Sequence, residues 1–270
     1  MKDSQSHQAP ASLMTLSEVA GYLKVAEKTV SRMLHRGEIP AVKIANQWRF
    51  SRDTLNDWLM SGMRSAPVET LDALRADSPV PRSLSRLLPD GGVLAGLSPE
   101  PLAVLFQRLS APLVAAGIIA DAESQVRQLL AREALLTTAV GEGIALPHTR
   151  EPSALPGRFG LVVGLVPDGI DFGAPDGRPV TILVLLCADT VAHHLEMMVQ
   201  VALALRDEAV VSALREARGP ADGLAALIAH DQRRLFGRLA SQAADRGRTA
   251  GPDAKPTHNV FTDQERESEG

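Results

Sequence analysis

The chain has 270 residues, of which 45% are hydrophobic, 22% charged and 3% aromatic. At about 150 residues per domain this allows two domains with aliphatic cores, and it excludes a wholly disordered chain. The net charge of -4 divides into +3 over residues 1–64 and −7 over the remainder, so a basic, polyanion-binding segment is joined to an acidic one.

Residues 1–12 are polar and are expected to be flexible. Thr15 and Glu18 form a capping box that starts a helix with Leu16, Val19, Ala20 and Leu23 on one face. Val25 and Ala26 turn the chain into a second helix, Glu27 to His35, with Val30, Met33 and Leu34 inward and Gly37 after its end. Lys28, Ser31, Arg32, His35 and Arg36 then face outward. The segment IPAVKIANQWRF alternates apolar and polar residues around Ala45-Asn46-Gln47 and predicts a β-hairpin, with Lys43 and Arg49 flanking the turn. Ser51 caps a short helix with Leu55, Trp58 and Leu59 inward, and Trp48 is expected in the core between hairpin and helix. A helix-turn-helix followed by a basic hairpin is a winged-helix layout.

This segment, from TLSEVAGYL to DTLNDWL, resembles the excisionase-type DNA-binding domain along its whole length. The order helix, turn, helix, RGEIPAVKI, QWRF, WL carries the resemblance. It implies a DNA-binding domain over residues 13–62 whose second helix enters the major groove while the wing touches an adjacent groove or the backbone. Lys28, Thr29, Ser31, Arg32 and Arg36 would line the helix, and Lys43, Gln47 and Arg49 the wing.

Residues 63–83 mix Pro, Ser and charges and read as a linker. An aliphatic region follows over 84–230. Pro101 to Ala116 has Leu102, Leu105, Phe106, Leu109 and Leu113 at helical spacing, and Asp121 caps a helix through Val126, Leu129 and Leu130. A turn-rich run leads into GEGIALPHTR, Gly141 to Arg150. Phe159 to Val166 and Val180 to Cys187 are nearly continuous apolar runs, as in strands covered on both faces. The apolar stretch Val180–Ala188 has nine residues, about half of a membrane span. The first ten residues lack the apolar centre of a signal peptide, and the one cysteine, Cys187, permits no internal disulfide. A cytoplasmic protein without membrane insertion is therefore expected. His194 opens a further helix with Leu195, Met198, Val199, Ala202 and Leu205 inward, so the region predicts an α/β sandwich. Residues 231–270 are rich in Gly, Asp, Arg, Ser and Gln and are expected to be a mostly disordered tail.

His148 follows two glycines that let a backbone approach a ligand. Thr149 and Arg150 beside it supply a hydroxyl and a fixed positive charge. With an ordinary pKa of about 6.5, a neutral imidazole is a good nucleophile near pH 7. A phosphoryl group under attack needs such cations and donors around it. By residue type alone, His148 is either such a nucleophile or an ordinary loop histidine.

Residues 84–230 resemble the enzyme IIA domain of the fructose, mannitol and nitrogen-regulatory branch of the sugar phosphotransferase system. Four pieces carry this: LLAREALLTTAVGEGIALPHTR; Arg132, 16 positions before His148; the segment DFGAPDGRPVTILVLL; and His194, 46 positions after His148, leading into HLEMMVQVALALRDE. The resemblance implies that His148 is the phosphoacceptor, Arg132 its phosphate-stabilising cation and His194 the second active-site histidine. Gly141, Gly143, Thr149 and Arg150 would then form the phosphate environment. Thr149 departs from the family's usual Gly or Ala. No metal and no cofactor are expected. His193 is expected to face solvent, Glu142 to be a polar rim residue, and His7, His35, His230 and His258 to be ordinary.

Together the two resemblances imply a DNA-binding regulator that accepts a phosphoryl group on His148 from the phosphoenolpyruvate-dependent relay, and so couples sugar or nitrogen status to DNA binding. The implied partners are DNA, the histidine-containing phosphocarrier protein, and a IIB subunit or another regulated protein. Such a domain is a phosphohistidine carrier rather than a turnover enzyme. The competing reading is a phosphocarrier for a sugar permease's IIB subunit, with the DNA-binding domain secondary. The fused DNA module argues for regulation. Retention of Arg132, His148 and His194 argues against a dead, purely architectural domain.

Overall fold

The computed structural model describes residues 13–23, 25–52, 54–55, 58 and 83–249, with side chains through residue 237. The N-terminus at 1–12, Leu59, the linker at 63–82 and residues 250–270 lie outside the described residues.

The N-terminal region is built from β1 (Leu13–Met14), α1 (Leu16–Tyr22), α2 (Glu27–His35), β2 (Val42–Ile44) and β3 (Gln47–Ser51). Thr15 Oγ1 accepts from the Glu18 N–H at 3.3 Å and Glu18 Oε2 accepts from the Thr15 N–H at 2.7 Å, closing the capping box. α2 ends at His35, and Gly37 after it, with a φ of 68°, turns the chain so that the Glu38 N–H reaches the Met33 carbonyl at 2.9 Å. The sheet order is β1-β3-β2, all antiparallel. Ala45 and Asn46, with φ of 46° and 62°, make the hairpin turn. Met14, Val19, Ala20, Leu23, Val30, Ile39, Phe50 and Leu55 form its core. Trp48 does not join that core and is 37% exposed. Phe50 takes the buried position two residues on. Trp48 lies nearer the hairpin tip, where the Lys43 ammonium stands 5.8 Å from its ring centroid.

The second region is a five-stranded mixed sheet, ordered β4-β7-β8-β6-β5. Its strands are β4 (Val93–Leu94), β5 (Ala139–Gly141), β6 (Ile144–Ala145), β7 (Phe159–Ile170) and β8 (Val180–Ala188). β7 and β8 pair antiparallel along most of their length. Side chains of these two strands alternate between two cores. Leu161, Val163, Leu165, Ile182, Val184 and Leu186 face one core with α5 (Val191–Leu205) and α6 (Glu208–Glu216). Val162, Leu183, Leu185 and Cys187 face the other with α3 (Leu102–Ala115) and α4 (Ala122–Glu133). Helices therefore cover both faces, as the apolar runs require. β4 had no sequence signal, because it is two residues long and parallel to a distant strand.

The helix expected to open at His194 starts at Val191, three residues earlier, because Thr190 Oγ1 accepts from the His193 N–H and caps it. The last helix, α7, runs Pro220–Thr249. The chain divides into compact units at residues 1–231 and 232–270, and the helix continues into the second. Residues 231–249 are thus helical where a loose tail is expected. The run is rich in Arg, Leu and Ala, which favour helix, and Leu235 and Phe236 are exposed in it.

Asp231 is the main tie of the segment entering this region. Its carboxylate accepts from Ser83 Oγ at 2.7 Å, the Leu84 N–H at 2.8 Å and the Ser85 N–H at 2.9 Å. Asp231→Ala leaves those donors unpaired and is expected to cost about 2 kcal/mol. Urea unfolding followed by circular dichroism measures this, while fluorescence of Trp48 and Trp58 reports the N-terminal region and should not move.

Candidate functional site

Strand pairing places His148. After β6, the chain stays parallel to β8: Ile144 pairs with Ile182, Ala145 with Leu183, and His148 bridges to Leu186. The Leu186 N–H donates to the Pro147 carbonyl at 3.1 Å. His148 is 4% exposed. Its Nδ1 lies 2.8 Å from the Leu146 carbonyl. A carbonyl only accepts, so Nδ1 carries the proton and Nε2 keeps the lone pair.

His194, in the first turn of α5, stands beside it with ring centroids 5.1 Å apart and planes at 46°. Its Nε2 is enclosed and has no hydrogen-bond partner among the described residues. Burial, then the proximity of His148 and the Arg132 guanidinium, which disfavours a second cation, push its pKa down to about 3, so the ring is neutral near pH 7. Arg132, at the last turn of α4, is 3% exposed and donates from Nη1 to the Leu136 carbonyl at 2.7 Å. The structure thus gathers a buried guanidinium and two imidazoles at one end of β8. Thr149 and Arg150 line the depression over His194, with Glu151, Pro152 and Val191. Thr149 is buried and its hydroxyl donates to the Glu151 carbonyl at 2.7 Å.

Gly141 and Gly143 are elsewhere. Gly143 sits level with Thr181 at the start of β8, five residues before His148, which is about 16 Å along a strand. Both have positive φ, and they serve the β5–β6 turn. Asp176 accepts from the Glu142 N–H and Arg215 donates to the Glu142 carbonyl, fixing that turn. The glycines shape the hairpin that feeds His148 into its strand, and they do not touch the site. Glu142 is exposed in the same turn.

His193 does not simply face solvent. Its Nδ1 donates to Asp189 and its ring meets Phe159 edge-on at 5.3 Å. His230 is buried beside Asp207 at 3.3 Å rather than ordinary. Residue-type reasoning missed Asp189, although an Asp four residues before a His at a helix start is a readable signal. Nothing in the sequence marks the Leu146 and Leu136 carbonyls. Cys187 is buried and its thiol is pushed up to about 12 by desolvation, so it is no nucleophile at neutral pH.

On the N-terminal region, Lys28, Arg32, His35 and Arg36 are exposed on one side of α2, opposite Val30, while Thr29 and Ser31 are half-buried. Arg36 pairs with Glu38 at 3.6 Å. On the wing Lys43 and Gln47 are exposed. Arg49 is half-buried and donates to Gln47 Oε1 and to the Trp48 carbonyl.

Residues 102–230 match the family model "Phosphoenolpyruvate-dependent sugar phosphotransferase system, EIIA 2", and residues 13–63 match "Helix-turn-helix domain". The chain carries a type 2 EIIA domain and a helix-turn-helix domain. A nitrogen regulatory protein of Bradyrhizobium diazoefficiens is 44% identical over 92 residues, 33% of this chain and 59% of that protein. A Mycobacterium tuberculosis protein assigned as DNA-binding is 36% identical over 55 residues, 20% of this chain and 70% of that one. Among solved structures, nitrogen regulatory protein IIA-Ntr from Neisseria meningitidis aligns at a TM-score of 0.47 with 22% identity, covering 53% of this chain and 97% of that chain. The chain therefore spans about three-fifths of its nitrogen regulatory relative. No described helix is long and apolar enough to cross a membrane.

The state of His194 in the EIIA domain has a consequence for stability. Unfolded, the ring binds a proton below about pH 6.5, while the native ring stays neutral to about 3. Its contribution is therefore intact above pH 6.5 and is lost as pH falls toward 3, by at most about 1.4 kcal/mol per pH unit. Between pH 7.5 and 5.5, wild type should lose about 1 kcal/mol more than His194→Leu in urea unfolding. Equal losses would show that His194 titrates normally in the fold.

Proposed function

We propose that the EIIA domain accepts a phosphoryl group on His148 Nε2 and that its phosphorylation state sets DNA binding by the helix-turn-helix domain. The carrying observation is the Nδ1 contact of His148 with the Leu146 carbonyl, which leaves Nε2 as the nucleophile beside a buried Arg132 and a neutral His194. In the transfer, the Nε2 lone pair forms the new P–N bond. The donor's bond to phosphorus breaks and its electron pair returns to the donor. No proton has to move. The His148 ring gains positive character, which the Leu146 carbonyl stabilises through the Nδ1 proton. Arg132 opposes the charge on the phosphoryl oxygens, and the His194 ring offers them a neutral N–H donor. A phosphohistidine carrier protein is the donor this chemistry fits, since imidazole-to-imidazole exchange is close to balanced.

Incubation with phosphoenolpyruvate and the general phosphotransferase proteins should add one phosphoryl group per chain by intact mass, and none to His148→Ala. Arg132→Ala should label on the order of 10²-fold more slowly while reaching the same end point. Full labelling of His148→Ala would place the acceptor elsewhere.

DNA binding is assigned to residues 13–62, through Lys28, Arg32 and Arg36 on α2 and Lys43, Gln47 and Arg49 on the wing. Phosphate contacts by cations release counterions, so affinity should fall with salt, and Arg32→Ala should reduce the log–log slope by about one. A phosphohistidine adds up to about two negative charges to a part of the chain already at −7. Repulsion from the duplex then weakens binding. A titration of duplex DNA at fixed salt should give lower affinity for the phosphorylated protein than for the unphosphorylated one, and equal affinities would remove the electrostatic coupling.

A further inference from the structure

We propose that Asp189 and His193 are positioning residues for His194, forming a clamp that sets its distance from His148; the inference rests on the phosphotransfer reading of that site. His194 Nε2 has no hydrogen-bond partner among the described residues, so none of them fixes the orientation of that end of the ring. The ring is aimed by the backbone that carries it, which is the first turn of α5. First turns are the least restrained part of a helix, because their N–H groups lack intrahelical acceptors.

Three contacts hold this turn. Thr190 Oγ1 accepts from the His193 N–H at 3.2 Å, and the His194 N–H reaches the Thr190 carbonyl at 3.0 Å. The third is the side-chain pair. Asp189 Oδ1 accepts from His193 Nδ1, while Asp189 Oδ2 accepts from the Gly157 N–H at 2.8 Å. The Asp189 N–H donates to the Arg158 carbonyl at 3.1 Å, so the residue is held on both its backbone and side chain. The Phe159 ring closes the far side of His193.

Asp189 directly follows β8, three residues after Leu186, the residue that holds His148. One strand therefore anchors the acceptor through Leu186 and the second histidine through Asp189. The clamp converts the strand's fixed register into the 5.1 Å ring separation. A loosened turn would let His194 depart from the phosphoryl group by an ångström or so, enough to slow transfer about tenfold or more.

The experiment uses the full chain with phosphoenolpyruvate and the general phosphotransferase proteins, varying the phosphocarrier concentration. Asp189→Ala and His193→Leu should lower the maximal labelling rate about tenfold with the half-saturating carrier concentration unchanged. His193→Asn keeps an N–H at the Nδ1 position for Asp189 and should stay within about threefold of wild type. In parallel, long-range ¹⁵N–¹H spectra of the histidine rings should show the His194 resonances shifted and broadened in Asp189→Ala and His193→Leu, and near wild type in His193→Asn. This second readout needs no phosphotransfer. Wild-type rates and unchanged His194 resonances in Asp189→Ala and His193→Leu would overturn the clamp. If His194→Ala itself labels at the wild-type rate, the phosphotransfer role of His194 fails, and the spectra still decide whether the clamp positions its ring.

Discussion

The parallel pairing of residues 144–148 with β8 is the constraint on which the rest of this molecule depends. It carries the chain out of the β5–β6 turn and delivers His148, already buried, to the level of Leu186. The same strand runs on to Asp189 and the start of α5. A one-residue slip would turn every side chain of the run to the opposite face. Register is held because β8 is buried on both faces, between α3 and α4 on one side and α5 and α6 on the other. The two cores thus support the site by forbidding slippage, although few of their residues touch it.

Electrostatics within the site follow from that burial. Three groups able to carry positive charge converge there, and they cannot all be charged cheaply in a water-poor setting. Arg132 keeps its charge, because guanidinium does not deprotonate in proteins, and its Nη1 is satisfied by the Leu136 carbonyl. His194 yields and is neutral. The outcome is one fixed cation and one neutral imidazole beside His148, whose Nδ1 proton is held by the Leu146 carbonyl.

The N-terminal domain solves a different problem. Its core is small, centred on Val19, Val30, Phe50 and Leu55, and its charged residues stay on α2 and the wing. Part of the wing's charge is engaged internally: Arg49 holds Gln47, and Lys43 covers Trp48. Lys28 and Arg32 are exposed on α2.

Local sequence was sufficient wherever the determinant lies within a few residues. The Thr15–Glu18 box, the outward basic stripe of α2, the Ala45-Asn46 turn, the Asp121 cap and the twin apolar runs of β7 and β8 were all legible, because each depends on spacing along one element. The resemblance around His148, with Arg132 and His194 at their intervals, singled out three residues that the fold brings together. Tertiary structure decided what those residues face. Gly141 and Gly143 read as phosphate-cradling because they precede His148 closely in sequence, but an extended chain moves about 3.3 Å per residue and carries His148 away from them. Trp48 read as core because it lies between the hairpin and the helix after Ser51, but Phe50 takes the buried position and the Lys43 ammonium stands over the Trp48 ring. His193 read as solvent-facing because Phe159, on β7, meets it only when β7 and α5 come together, although Asp189 four residues before it was a readable local partner. The tautomer of His148 is set locally, by the Leu146 carbonyl two residues before it. The neutrality of His194 depends on burial and on His148 and Arg132, which come from separate stretches of chain, so no spacing along one stretch encodes it.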